Sequence, residues 1–132
     1  MPGDLEDAIV AVLSLASLKH ETPRIPLDEF YNLFIALSRE FPDLIPEPEL
    51  KVMTRFIWPE QPVNGRGYAV RLNVQLNPRR SLIEVRPEDA WANLAAIKKR
   101  LGDELFAWRY QRPAKRLAEL VKTIDSVPPD AA

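Results

Sequence analysis

The chain has 132 residues, 46% of them apolar and 28% charged, the length and composition of one globular domain with enough apolar material for a core. It has no cysteine and one histidine, His20, which excludes disulfides, thiolate catalysis, Cys-based zinc sites and a His-rich metal site, and leaves a Ser-His-Asp triad only if His20 serves it. The formal net charge of −1 hides a split: residues 1–50 carry three cationic side chains against ten acidic ones, residues 51–132 fifteen against nine, so the halves stand at −7 and +6.

The start, Met1-Pro2-Gly3-Asp4, is acidic and lacks the basic flank of a secretory signal. Asp4 is placed to cap a helix from about 5 to 20, with Asp7 in its first turn. Leu5, Ile9, Val12, Leu13 and Ala16 form its stripe, but Val10, Leu15 and Leu18 make it apolar almost all round. Such a helix is either central in a core or paired with another chain. Its longest apolar run, Ala8–Leu18, is eleven residues and includes Ser14 and Ser17, whereas a membrane span needs about 20. The expectation is a soluble, cytoplasmic protein with no membrane partner. His20 closes the helix, where the dipole favours a protonated imidazole.

Thirteen prolines against four glycines punctuate the chain. Pro23 and Pro26 keep residues 21–26 extended. A second helix over about 27–41 is expected from Asp28 and Glu29 in its first turn and from Phe30, Leu33, Phe34, Leu37 and Phe41 at helical spacing. Pro42-Asp43 ends it. Residues 47–58 fit two patterns. As a helix, Leu50, Met53, Phe56 and Ile57 share a face; as a strand, Val52, Thr54, Phe56 and Trp58 alternate. The helix is the preferred reading, with proline tolerated at Pro48 in the first turn.

After a loop over 59–67, Tyr68, Val70, Leu72, Val74 and Leu76 alternate with polar or small residues. Strict period two predicts a half-buried antiparallel strand. Asn77-Pro78-Arg79-Arg80-Ser81 is a turn, and Leu82–Arg86 returns as its hairpin partner. Pro87-Glu88-Asp89 opens a long helix over about 88–110, with Ala90, Leu94, Ile97, Leu101, Leu105 and Trp108 as its stripe and Gly102 as a point of bending or interruption. Pro113 opens a last helix carrying Leu117, Leu120, Val121 and Ile124. The expected domain is 1–126, with 127–132 a flexible C-terminal tail.

The order helix, extended connector, helix, helix, hairpin, long helix resembles that of winged helix-turn-helix domains over roughly residues 5–86. The fold class expected is therefore α+β, mainly helical, with a winged-helix-like core, a β-hairpin and two C-terminal helices. If 47–58 is a strand, the alternative is an α+β domain with a three-stranded meander. The resemblance implies a non-enzymatic DNA-binding protein. Arg79 and Arg80 would project from the wing, with Arg71 beside them, and Lys51 and Arg55 would lie one turn apart on the recognition helix. Phosphate contacts would dominate affinity. For each cation the plainer reading is a solvated turn or helix face.

Two further basic runs, Lys98-Lys99-Arg100 and Arg109–Arg116, face the same alternatives. Arg112, Lys115 and Arg116 would crowd the start of a helix opened by Pro113, where the dipole disfavours cations by about 0.3–1 kcal/mol each, which calls for a nearby anion. That anion is either nucleic acid or the acidic first half of this chain. Trp108 is read as core. The apolar helix 5–20 and the helix 88–110 suggest a homodimer. The rival function is a protein-interaction module or assembly subunit using the oppositely charged halves, recognisable by paired cations and an exposed apolar patch. No cofactor or metal is implied. Acid pairs such as Asp28/Glu29 are neighbours in sequence rather than facing carboxylates, and Asn64-Gly65-Arg66-Gly67 lacks phosphate-loop spacing.

Overall fold

The computed structural model describes residues 2–21, 24–56, 68, 70–73, 81–102 and 106–125. In chain order the elements are α1 (Pro2–Lys19), β1 (Arg24–Pro26), α2 (Leu27–Glu40), α3 (Glu47–Phe56), β2 (Arg71–Asn73), β3 (Leu82–Glu84), α4 (Pro87–Leu101) and α5 (Phe106–Asp125). The fold is mainly helical, with one small antiparallel sheet of order β1-β3-β2. Residues 47–56 are helical, which decides the ambiguity over that segment for its described part.

The connector after α1 is a strand. Ile25 pairs with Ile83 and Pro26 with Leu82. Because β1 is an edge strand, Pro26 removes no ladder bond that a neighbour on its outer side needs. β2 lies on the other side of β3, with Leu72 opposite Ile83 and Asn73 opposite Leu82. The hairpin is thus present, with a shorter described ladder than the alternation over 68–76 predicts, and its Asn77–Arg80 turn lies outside the described residues.

α2 begins on Asp28 and Glu29 in its first turn and ends where Phe41 N–H donates to the Leu37 carbonyl at 2.8 Å. A short turn follows, and the Leu50 N–H returns to the Pro46 carbonyl at 3.0 Å as α3 starts. Phe30 and Phe34, one turn apart, stack with ring centroids 4.7 Å apart and anchor α2 in the core.

The all-round apolar character of α1 has a structural cause. Every residue from Leu5 to Ser17 is buried. α4 and α5 cover it along much of its length, and α3 touches it from another side. Each fully buried Leu, Ile or Val contributes about 1.5–3 kcal/mol, so this helix organises the core. A homodimer through helix 5–20 finds no support here: Leu5 to Ser17 are buried inside their own chain, and of the described side chains of α1 only Leu18 and Lys19 reach the surface. The helix starts at Pro2, so Asp4 lies in its first turn rather than at its cap.

The C-terminal helices break elsewhere than predicted. The expected helix 88–110 divides at Gly102, which adopts φ 63 and ψ 22 and donates its N–H to the Lys98 carbonyl at 2.9 Å. Left-handed backbone suits glycine because it has no Cβ. Pro113 does not open a helix; it sits buried inside α5, which starts at Phe106. A Cβ at Gly102 would meet nothing within 4 Å, so Gly102→Ala should carry only the backbone penalty. The expected result is a loss of about 1 kcal/mol, read as a lower urea midpoint with an unchanged slope.

Candidate functional site

Asp7 is 1% exposed near the start of α1, and the buried Tyr68 hydroxyl donates to its Oδ1. Arg100 of α4 lies over the Tyr68 ring, its guanidinium carbon 5.8 Å from the centroid. Burial, then the neighbouring Asp7 carboxylate, push the Tyr68 phenol well above its ordinary value, while Arg100 opposes them. Deeper along α1, Asn93 Nδ2 of α4 donates to Ser14 Oγ at 3.3 Å. These contacts tie α1 to its neighbours. Glu6 and Asp7 are both buried, so the first half presents less negative charge than its composition implies.

Lys51 is exposed on α3, with Nζ 3.9 Å from Oε1 of Glu47 in its own helix. Arg39 of α2 reaches the same oxygen at 4.0 Å. Arg55 follows one turn after Lys51 on α3. Arg71 occupies the register position opposite Glu84, and Arg24, across β3, has its Nε 3.5 Å from Glu84. Arg79 and Arg80 lie outside the described residues. The acids Glu47 and Glu49 occupy the first turn of α3, so the start of this helix carries negative charge beside Lys51.

The cations of α5 also change meaning. Since α5 starts at Phe106, Arg112, Lys115 and Arg116 lie beyond its first turn, and the dipole no longer calls for an anion beside them. Arg116 finds one within the chain: Nε is 3.0 Å from Oε2 of Glu40, and Nη1 is 3.4 Å from Oε2 of Glu119. The Glu40 hydrogen bond raises the guanidinium further above its ordinary value. This pair joins the basic second half to the acidic first half.

One surface feature stands apart from these pairs. A groove of about 700 Å³ opens where the last turn of α1 meets α4 and α5. Leu15 and Leu18 of α1 and Leu94 of α4 give it an apolar floor, and Gln111 of α5 closes one side. Trp91 stands on its edge, 68% exposed, and is the only large apolar side chain so exposed among the described residues. Trp91, Ala95 and Lys98 recur at i, i+4 and i+7 on one face of α4. Lys19 and Lys98 supply the charge at the rim.

The sequence held a sign of this surface. Trp91 lies one residue off the stripe of Ala90, Leu94 and Ile97, so helical geometry turns it outward. Among the described residues no group of three or more His, Asp or Glu is arranged to hold a metal ion, and no helix is long and apolar enough to cross a membrane. Comparison with protein families, curated proteins and solved structures finds no match to this chain.

Proposed function

We propose that this chain is a non-enzymatic, cytoplasmic protein-interaction module, a winged-helix-like core extended by α4 and α5 that docks another protein at the α1–α4–α5 groove. Trp91 carries the reading. A tryptophan 68% exposed beside an apolar floor resembles the anchors that dominate protein interfaces. The ion pairs of Lys51, Arg39, Arg24 and Arg116 with Glu47, Glu84 and Glu40 support it, because cations engaged with their own chain are not aimed at phosphate. The winged-helix likeness of the core rests on the order α1-β1-α2-α3-β2-β3 and the sheet order β1-β3-β2. Such folds host many functions.

Nucleic-acid binding is the second reading. It is favoured by that same order and by Arg109, Arg112, Lys115 and Lys122, exposed along α5 with Glu119 among them. A salt series with mixed-sequence duplex DNA separates the two. An interaction module should show no binding that weakens steeply with salt. Binding that falls with salt, and falls again in Arg79→Glu/Arg80→Glu, would replace the first reading with the second.

A further inference from the structure

We infer that the occupant of the α1–α4–α5 groove is an amphipathic helix of another protein, its apolar face flanked by Asp and Glu. This rests on the interaction reading above and names the chemistry of the partner. The floor is apolar and the charge at the rim is cationic, from Lys19 and Lys98. Both lysines are exposed, and neither forms an ion pair with a described residue. A ligand matching both properties must carry apolar side chains and anionic groups together. Phosphodiester backbone has the charge without the apolar face. A helix supplies both, with apolar anchors at i, i+3, i+4 and i+7 and carboxylates beside them.

Two other occupants fit less well. An anionic bilayer would meet the lysines and Trp91, but Leu15 at 3% exposure and Leu94 at 8% are recessed, within reach of inserted side chains rather than of a broad lipid surface. A second copy of this chain would need an acidic helix with a free apolar face. α2 carries Asp28 and Glu29, but its Phe30, Leu33, Phe34 and Leu37 are already buried. α3 carries Glu47 and Glu49, and its Leu50 is fully buried as well. α4 carries Glu88 and Asp89 in its first turn beside the exposed Trp91, but it is itself a wall of the groove and ends in Lys98, Lys99 and Arg100, so a second copy would bring further cations to the cationic rim.

The test is a displayed library of helical peptides of about 16 residues, with leucines fixed on one face at helical spacing and flanking positions randomised among Glu, Asp, Lys, Arg, Gln and Ser. It is selected against the full chain, with Trp91→Ala as the counter-selection. Because Trp91 is largely exposed, that variant should keep its fold, which circular dichroism checks. The expected result is enrichment of Glu and Asp, binding at least about tenfold weaker to Trp91→Ala, and preference for basic flanks in Lys19→Glu/Lys98→Glu. Enrichment of Lys or Arg by the unaltered chain, still lost in Trp91→Ala, would overturn the acidic partner and leave the docking reading standing. No enrichment over Trp91→Ala would overturn both. Phosphatidylserine vesicles and sedimentation of the chain alone complete the test. Trp91-dependent vesicle binding, or a Trp91-dependent dimer, would assign the groove to lipid or to a second copy and overturn the inference.

Discussion

Leu13→Asp should leave the chain without a cooperative unfolding transition, and Leu13→Ala should lower its stability by about 2–5 kcal/mol. Leu13 is fully buried near the middle of α1. Truncation to alanine removes transfer energy and leaves a cavity, because α4 and α5, packed on α1, cannot both collapse into the gap. The aspartate adds a buried charge with no partner provided for it, a penalty of several kcal/mol. Domains of this size are stable by about 5–15 kcal/mol, so the alanine variant survives weakened and the aspartate variant does not. Urea unfolding followed by circular dichroism distinguishes the cases. A Leu13→Ala loss below about 1 kcal/mol would mean that α1 is not the centre of the core.

Tyr68→Phe should have the second large effect, at neutral pH and again in alkali. At neutral pH it removes the donor to a buried carboxylate, Asp7. The loss expected is about 1.5–3 kcal/mol, the range for hydrogen bonds to charged groups. The alkaline effect follows from the raised phenol. The folded state holds the Tyr68 proton more tightly than the unfolded state, whose phenol titrates near pH 10. The contribution is therefore complete below about pH 10 and is lost as pH rises beyond it. Stability measured by urea from pH 7 to 11 should fall more steeply above pH 10 in the unaltered chain than in Tyr68→Phe. Parallel curves would show that another group governs the alkaline limb.

Legibility in the sequence followed the range of the physics involved. α2 was readable because its first-turn acids, its Phe30–Phe34–Leu37 spacing and the Pro42 stop are local signals. The pairing of β2 with β3 was readable because alternation and turn chemistry lie within one hairpin. The extended backbone of β1 was readable from Pro23 and Pro26, but its pairing was not, since Arg24–Pro26 is three residues long and its partner β3 lies far along the chain. Pro113 misled because proline more often opens a helix than sits within one, and only the stop at Gly102 shows where α5 has room to start. The bond between Tyr68 and Asp7, 61 residues apart, had no local trace. The charge split was plain from composition, but its meaning depended on which carboxylates are buried and on Arg116 reaching Glu40. The groove needs three helix ends brought together, so the sequence offered only the outward setting of Trp91.

The enclosure of α1 has a consequence for synthesis. The ribosome delivers α1 well before the helices that enclose it, Pro87–Leu101 and Phe106–Asp125. Until then the nascent chain holds a helix with little but Ser14 and Ser17 to turn toward water from Ala8 to Leu18. Contacts of such wide sequence separation also slow folding. Products halted before α4 should therefore aggregate or occupy chaperones, even though they contain α1, α2, α3 and every strand of the sheet.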